Sequence, residues 1–234
     1  MTQSSDPKLP PQCRLQKTQP DADMRAVVRR HAAAGEPPGT IFWSPRADRF
    51  QAAIVLAPEE PLRIAALAVY LGMLAMGDAL GSTIPPGIDV TFIWPNRINL
   101  NGGLLGAVVL EAPPMTSQEA TPEWLALSFD LAITGGAVMA DTQDASVTTL
   151  EEEGCGAVDS GELLEALARH ALVWSNRWHD DGFAPLRPAW IRRLEDDQDT
   201  VDLDEAGNLL VTRDGGTRTM GLIEALGILE PEDE

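Results

Sequence analysis

Positive charge is scarce in this sequence relative to negative. Seventeen lysines and arginines face 36 aspartates and glutamates, a formal net charge of −19 over 234 residues. A field of that sign repels polyanions, and no basic cluster is dense enough to reverse it locally, so nucleic-acid binding is set aside. Cysteine is rarer still, with two in the chain. Cys13 and Cys155 stand alone, without metal-ligand or redox spacing, and no metal site is expected. No signal-peptide pattern and no apolar run of roughly twenty residues stands out, so a reducing, cytoplasmic setting away from membranes is expected. A hydrolase or transferase working without adenylation needs a nucleophile beside a base. Cys13 lies in a polar stretch and Cys155 follows a glutamate triplet with no base in view. What remains is a chain 44% hydrophobic, enough to bury the core of one ordinary domain with a small appendage.

The most informative stretch runs from Val90 to Leu110. Val90 to Trp94 is β-branched and aromatic, the composition of a pleated, half-buried surface. Pro95 cannot donate to a ladder, so that strand ends or bulges there. Ile98 and Leu100 alternate with Asn99, and Asn101-Gly102 is the turn pair whose residues tolerate the positive φ of a tight hairpin. Leu104 to Leu110 is apolar throughout, as in a strand covered on both faces. Gly106 inside it marks a bulge or a close approach by a ligand or another backbone.

This stretch resembles the central hairpin of the biotin and lipoate protein ligases. In that family a Trp-Pro-Asn-Asp signature and a following Lys-Leu-x-Gly segment line the pocket for the vitamin and its adenylate. Here the matching residues are Trp94-Pro95-Asn96 and Leu104-Leu105-Gly106. The resemblance implies an α+β fold: a ligase-like mixed β-sheet packed against long helices, with a short β-rich C-terminal appendage. It implies ATP and Mg, a small carboxylic acid such as biotin, lipoate or octanoate, and transfer of the acyl group to a lysine of an acceptor protein. Carried onto this chain, the candidate ligand-binding residues are Trp94, Pro95, Asn96, Arg97, Gly103 and Gly106. Trp43, Arg46, Arg49 and Ser128 join them from neighbouring strands.

The charged positions depart from the family pattern. Ile93 replaces the lysine before the tryptophan, Arg97 the aspartate after the asparagine, and Gly103 the lysine that opens the second segment. Ser128, Asp130 and Ala132 stand where the family has a Gly-x-Gly-x-Asn strand. The connector 44–49 is short where the family carries a glycine- and arginine-rich loop over the adenylate. Cations that would neutralise a transferring phosphate are thereby lost, each commonly worth on the order of a hundredfold in rate. Two functions stay open: an atypical adenylating ligase, or a non-catalytic descendant binding a small molecule or a protein. For the second, an aromatic pocket under Trp43, Phe92 and Trp94, with Asn96 as polar anchor, is the expected site.

The remaining chain supplies the scaffold. Residues 1–20 read as a mobile tail, 21–194 as the ligase-like domain, and 195–234 as a small β-rich region with an acidic tail. Asp21 or Asp23 opens a helix closed at Gly35. Its Arg25, Arg29 and Arg30 are either a phosphate contact or a solvated face near the C-terminal dipole, the latter favoured. Strands are expected at 40–43, 50–56 and 124–133, and a helix over 62–80. Asp159 and Glu162 have capping-box spacing and open a second long helix. His170 borders its apolar stripe. Glu151 to Glu153 read as a solvated run, and His179-Asp180-Asp181 as a polar helix end. Edge strands near Thr40 or Thr200 are open to pairing between subunits.

Overall fold

The computed structural model describes residues 6–135, 147–195, 200–213 and 215–228. Strand β1 (Arg14–Lys17) is followed by α1 (Met24–Ala33), β2 (Thr40–Ser44) and β3 (Arg49–Leu56). Helices α2 (Leu62–Ala65) and α3 (Ala68–Thr83) lead into β4 (Val90–Ile93), β5 (Arg97–Leu100), β6 (Gly103–Glu111) and β7 (Leu125–Ala132). Then come α4 (Ser160–Asp181) and α5 (Leu186–Ile191), and a last unit of β8 (Thr200–Leu203), β9 (Leu209–Arg213), β10 (Gly216–Met220) and α6 (Leu222–Ala225). Part of the expected loop over 135–158, the stretch 136–146, and the acidic terminus from 229 lie outside the described residues.

Seven strands form one mixed sheet in the order β1-β2-β3-β7-β6-β5-β4. Only β1 runs parallel to its neighbour, with Arg14 opposite Thr40 and Lys17 opposite Trp43. The sequence expectation of a mobile tail is corrected there: residues 14–17 are a sheet strand. The signal was faint because all four residues are partly or fully exposed, so no apolar alternation marks them.

The hairpin turn forms as its residues demand. Asn101 and Gly102 take φ of 48° and 84°, the doubly left-handed turn that matches the twist of flanking strands. Asp23 caps α1 by accepting from the amides of Arg25 and Ala26, and Asp159 does the same for Gly161 and Glu162 at α4. Each cap satisfies amides that the first turn of a helix leaves free, typically worth about 1 kcal/mol.

Alternation then sends the strands' side chains to two faces. One face carries Ile41, Trp43, Phe50, Ala52 and Ile54 into the main core with α3 and α4. The other receives α1, whose Met24, Val28 and Ala32 pack on Phe42, Ala53, Val55 and Ala126. The segment 62–83 corrects a second expectation. It is 22 residues long and its most apolar 18-residue window averages a hydropathy of 1.7, enough to cross a bilayer by length and composition, yet 83% of that window is buried inside the protein. A helix that is apolar all round is what a buried core position requires.

The C-terminal strands form their own antiparallel sheet, β10-β9-β8. Three strands bury a face only by docking, and here Leu203, Leu209 and Leu222 join the main core. Tyr70 of α3 fixes the junction, its hydroxyl donating to the Gly207 carbonyl at 2.5 Å.

Candidate ligand-binding face

Strand pairing dictates which side chains meet on the sheet face opposite the long helices. Arg97 lies opposite Ala107, Ala107 opposite Asp130, Asp130 opposite Gln51, and Gln51 opposite Ser44. Directly paired residues share a face, so five strands deliver one transverse row: Arg97, Ala107, Asp130, Gln51 and Ser44. The next row holds Val109, Ser128, Ala53 and Phe42. Its far end lies under α1, so the polar part of the face is what α1 leaves uncovered.

Asp130 organises the charge. It accepts from the Arg49 guanidinium and, at 3.1 Å, from the Gln51 side-chain amide. Arg46 makes a two-point pair with Asp48, at 2.9 and 2.5 Å, and donates to the Pro20 carbonyl at 3.2 Å. Hydrogen bonding to Arg46 holds the Asp48 carboxyl below its ordinary range. The same bond raises the Arg46 guanidinium, with the charges of Asp48, Asp130 and Asp21 adding to it. Both arginines beside the short connector are therefore already matched by carboxylates. The Arg97 guanidinium has no hydrogen bond or ion pair among the described residues. Ser128 is 4% exposed and its hydroxyl has no hydrogen-bond partner among the described residues, an arrangement that costs about 1–3 kcal/mol unless a ligand or water meets it.

The remaining residues singled out in the sequence go elsewhere. Trp43 is buried on the helix side, with the Lys17 ammonium 5.8 Å from its ring centroid. Phe92 is also on that side, 6.0 Å from Trp190 between ring centroids. Trp94 turns toward α3, its indole donating to the Tyr70 hydroxyl at 2.9 Å. The expected aromatic pocket under Trp43, Phe92 and Trp94 is thus corrected: these rings belong to the core beneath the sheet. The Trp94-Pro95 peptide is cis, and the Asn96 carbonyl accepts from the Val108 amide at 2.9 Å. Gly103 lies against Thr148, whose Cβ would be 2.8 Å from an added methyl. Gly106 admits a backbone, not a ligand: a Cβ there would fall 2.0 Å from the Asp130 carbonyl oxygen.

Sequence reasoning missed several partners. Glu111 is only 5% exposed and receives Arg25, with Arg29 at 3.8 Å, so these two arginines are not a merely solvated face. Asp78 gathers Trp174 at 2.8 Å and Arg193 at 2.6 Å, with His170 at 3.8 Å. A lone charged residue inside an apolar helix was the available signal. Glu153 leaves the expected solvated triplet to accept from Thr148 at 2.6 Å and Asn101 at 2.7 Å, tying the hairpin turn to the segment after the loop. Those bonds, Thr148 first, hold its carboxyl below the ordinary range. A depressed carboxyl adds stability that is present above the unfolded-state value, near 4.3, and is lost as pH falls through the lower folded value. Glu153→Gln is therefore expected to flatten the acid limb of the melting-temperature profile below about pH 4. An unchanged limb would show that Glu153 does not couple to folding.

The fold has known counterparts. A model of the biotin/lipoate A/B protein ligase family matches residues 9–192. The biotin–[acetyl-CoA-carboxylase] ligase of Paracoccus denitrificans is 28% identical over 204 residues, 86% of this chain and 79% of that protein. A biotin protein ligase-like protein of unknown function from a Silicibacter species superposes with a TM-score of 0.83 at 25% identity, covering 96% of this chain and 100% of the other. Biotin protein ligase from Aquifex aeolicus in complex with biotin and ATP shares the fold at a TM-score of 0.68 and 14% identity, over 88% and 94% of the two chains. Because the family match spans most of the chain and the seven-stranded sheet with its flanking helices superposes on solved ligases, this chain belongs to the biotin/lipoate A/B protein ligase family.

Proposed function

We propose that the protein is an atypical ATP-dependent ligase that takes a small carboxylic acid, biotin first among candidates, on the polar face of its sheet. The observation that carries this reading is the row itself: Arg97 without a partner among the described residues, the unpartnered Ser128 hydroxyl one row away, and Arg49 held in reserve by Asp130. Arg97 supplies a cation for a carboxylate or phosphate and Ser128 a donor in a water-poor setting, where such groups act most strongly. Asn96, at the rim of the same hairpin, adds an amide. In the reaction the acid's carboxylate attacks the α-phosphorus of ATP and pyrophosphate leaves. A lysine amine of the acceptor then attacks the acyl carbon and AMP leaves. The name of the Paracoccus relative makes a carboxylase domain the first acceptor to try. Magnesium would accompany the ATP, residues 21–194 form the catalytic unit, and the cytoplasm is the proposed setting.

Paired arginines make a slow enzyme. Asp130 and Asp48 compete with any phosphate for Arg49 and Arg46, so turnover sits on the order of a hundredfold or more below that of a ligase with free cations. The test is pyrophosphate release with biotin, lipoate or octanoate, ATP and magnesium. Asp130→Asn, which frees Arg49, is expected to raise the rate several-fold, and Arg49→Ala to abolish it. If neither variant nor the parent releases pyrophosphate, adenylation is overturned.

A second reading, a non-catalytic binding module, is favoured by the same neutralised arginines. It is separated from the first by thermal shift. An acid at about a hundred times its dissociation constant adds roughly 2.7 kcal/mol. A shift that ATP does not enlarge, without pyrophosphate, establishes the module.

A further inference from the structure

The helix side of the sheet holds a cavity of ≈ 290 Å³ that the ligase reading does not use. It lies between β2 and β3 below and α3 and α4 above. Helix α3 sits close on the sheet at Gly72, where an added Cβ would come within 3.0 Å of Val108. Helix α4 presents Ala168 and Ala171 to the same space, and their short side chains leave it unfilled. Ile41, Ile54 and Phe129 form the floor, and among the described residues no charged side chain lines it. Protein interiors are normally packed to the density of organic crystals, with few voids larger than a water. An apolar cavity of about 150 Å³ is already enough to stay dry and bind benzene or xenon, and dedicated ligand sites begin at about 300 Å³.

The cavity also has an entrance with a character of its own. It shares Leu56, Ala57, Leu71 and Ser175 with an open groove of ≈ 710 Å³. Glu59, Glu60 and Glu205 stand along that groove, in a chain of net charge −19. A carboxylate emerging from the cavity would meet like charge, whereas an ammonium or a hydroxyl would not.

We infer that this cavity is a second ligand site, for the aliphatic chain of a small amphiphile with a neutral or cationic head. It lies on the opposite face from the proposed ligase site and stands independently of that proposal.

The probes are 1-octanol, octylammonium and octanoate, added to the full chain. Cys13 lines the cavity and serves as reporter. Burial pushes its thiol up, so iodoacetamide labelling is run at alkaline pH, with Cys155, which lines neither the cavity nor its groove, as internal control. A probe at about ten times its dissociation constant leaves about one molecule in eleven free, so Cys13 labelling slows about tenfold. Octanol and octylammonium are expected to do this and to raise the melting temperature, while octanoate leaves Cys13 unprotected and Cys155 is unchanged by all three. Ala171→Phe, which fills the space, removes the protection. If that variant does not fold, Ala168→Val reduces it instead. Asp130→Asn, on the other face, leaves it intact. No protection by any probe, or protection that survives filling of the cavity, overturns the site. Equal protection by octanoate overturns the assignment of the head group.

Discussion

Gly106→Ala is expected to cost about 3 kcal/mol or more, among the largest effects of any small substitution in this protein. The added methyl would lie 2.0 Å from the Asp130 carbonyl oxygen and 2.8 Å from the Leu131 Cα. Both are backbone atoms of the adjacent central strand, so no side chain can swing away to relieve the overlap. Strand β6 would have to move off β7 by an ångström or so, which breaks ladder bonds in a buried sheet and leaves amides unpaired. The bulge between Ile98 and Asn99 on the other side of β6 is part of the same local geometry. Urea denaturation checks this: the midpoint should fall with little change in slope. A loss under about 0.5 kcal/mol, within the range of ordinary surface substitutions, would mean the strands yield freely. Because Asp130 is the residue displaced, the variant should also weaken acid binding on the polar face.

Trp190→Ala should lose about 3–5 kcal/mol. Trp190 is fully buried at 0% exposure and meets Tyr70 edge-on, with ring centroids 5.1 Å apart at 82°. Its indole nitrogen donates to the Met73 sulfur at 3.2 Å. Removing the ring opens a void among α3, α5 and β4 that surrounding side chains fill only in part. Trp190→Phe separates the contributions, since it keeps most of the apolar volume and removes only the weak N–H to sulfur contact. It is expected to cost less than half as much. If the two variants were equally damaging, the hydrogen bond would outweigh the packing, contrary to the usual balance of these terms.

Much of this architecture was legible from the chain, and the parts that were not share a cause. Local chemistry announces local structure. Asn101-Gly102 makes its turn, Asp159 opens its helix, and the apolar spacing of residues 62–80 yields a core helix, because each signal depends on neighbours within a few positions. Sidedness does not announce itself. In a buried run such as Thr40–Ser44, where all five residues are covered, alternation defines two faces without saying which receives the helices. That Trp43 and Trp94 face the helices is therefore visible only in the folded sheet. Long-range charge pairing is equally hidden. Arg49 and Asp130 are 81 residues apart, and only the register of β3 against β7 reveals that the guanidinium is matched. Gly106 was read correctly as a place of close approach, but the approaching group, a backbone and not a ligand, depended on that same register.

The two margins of the large sheet have a consequence for assembly. Unpaired N–H and C=O groups along a strand are a template for another chain, the first step toward fibrils and swapped dimers. On one margin the template is occupied from within: the Phe92 amide donates to the Arg193 carbonyl at 2.6 Å, and the Glu195 amide to the Phe92 carbonyl at 2.8 Å. On the other, β1 shields Thr40, which is therefore closed to pairing between copies, and presents only four residues that begin with Arg14 and end with Lys17. Short length and flanking cations discourage a neighbour from extending the ladder. The amino-terminal segment, which the sequence reads as a mobile tail, is the guard on that margin. Deleting it would uncover β2, all five of whose residues are buried, and is expected to promote self-association.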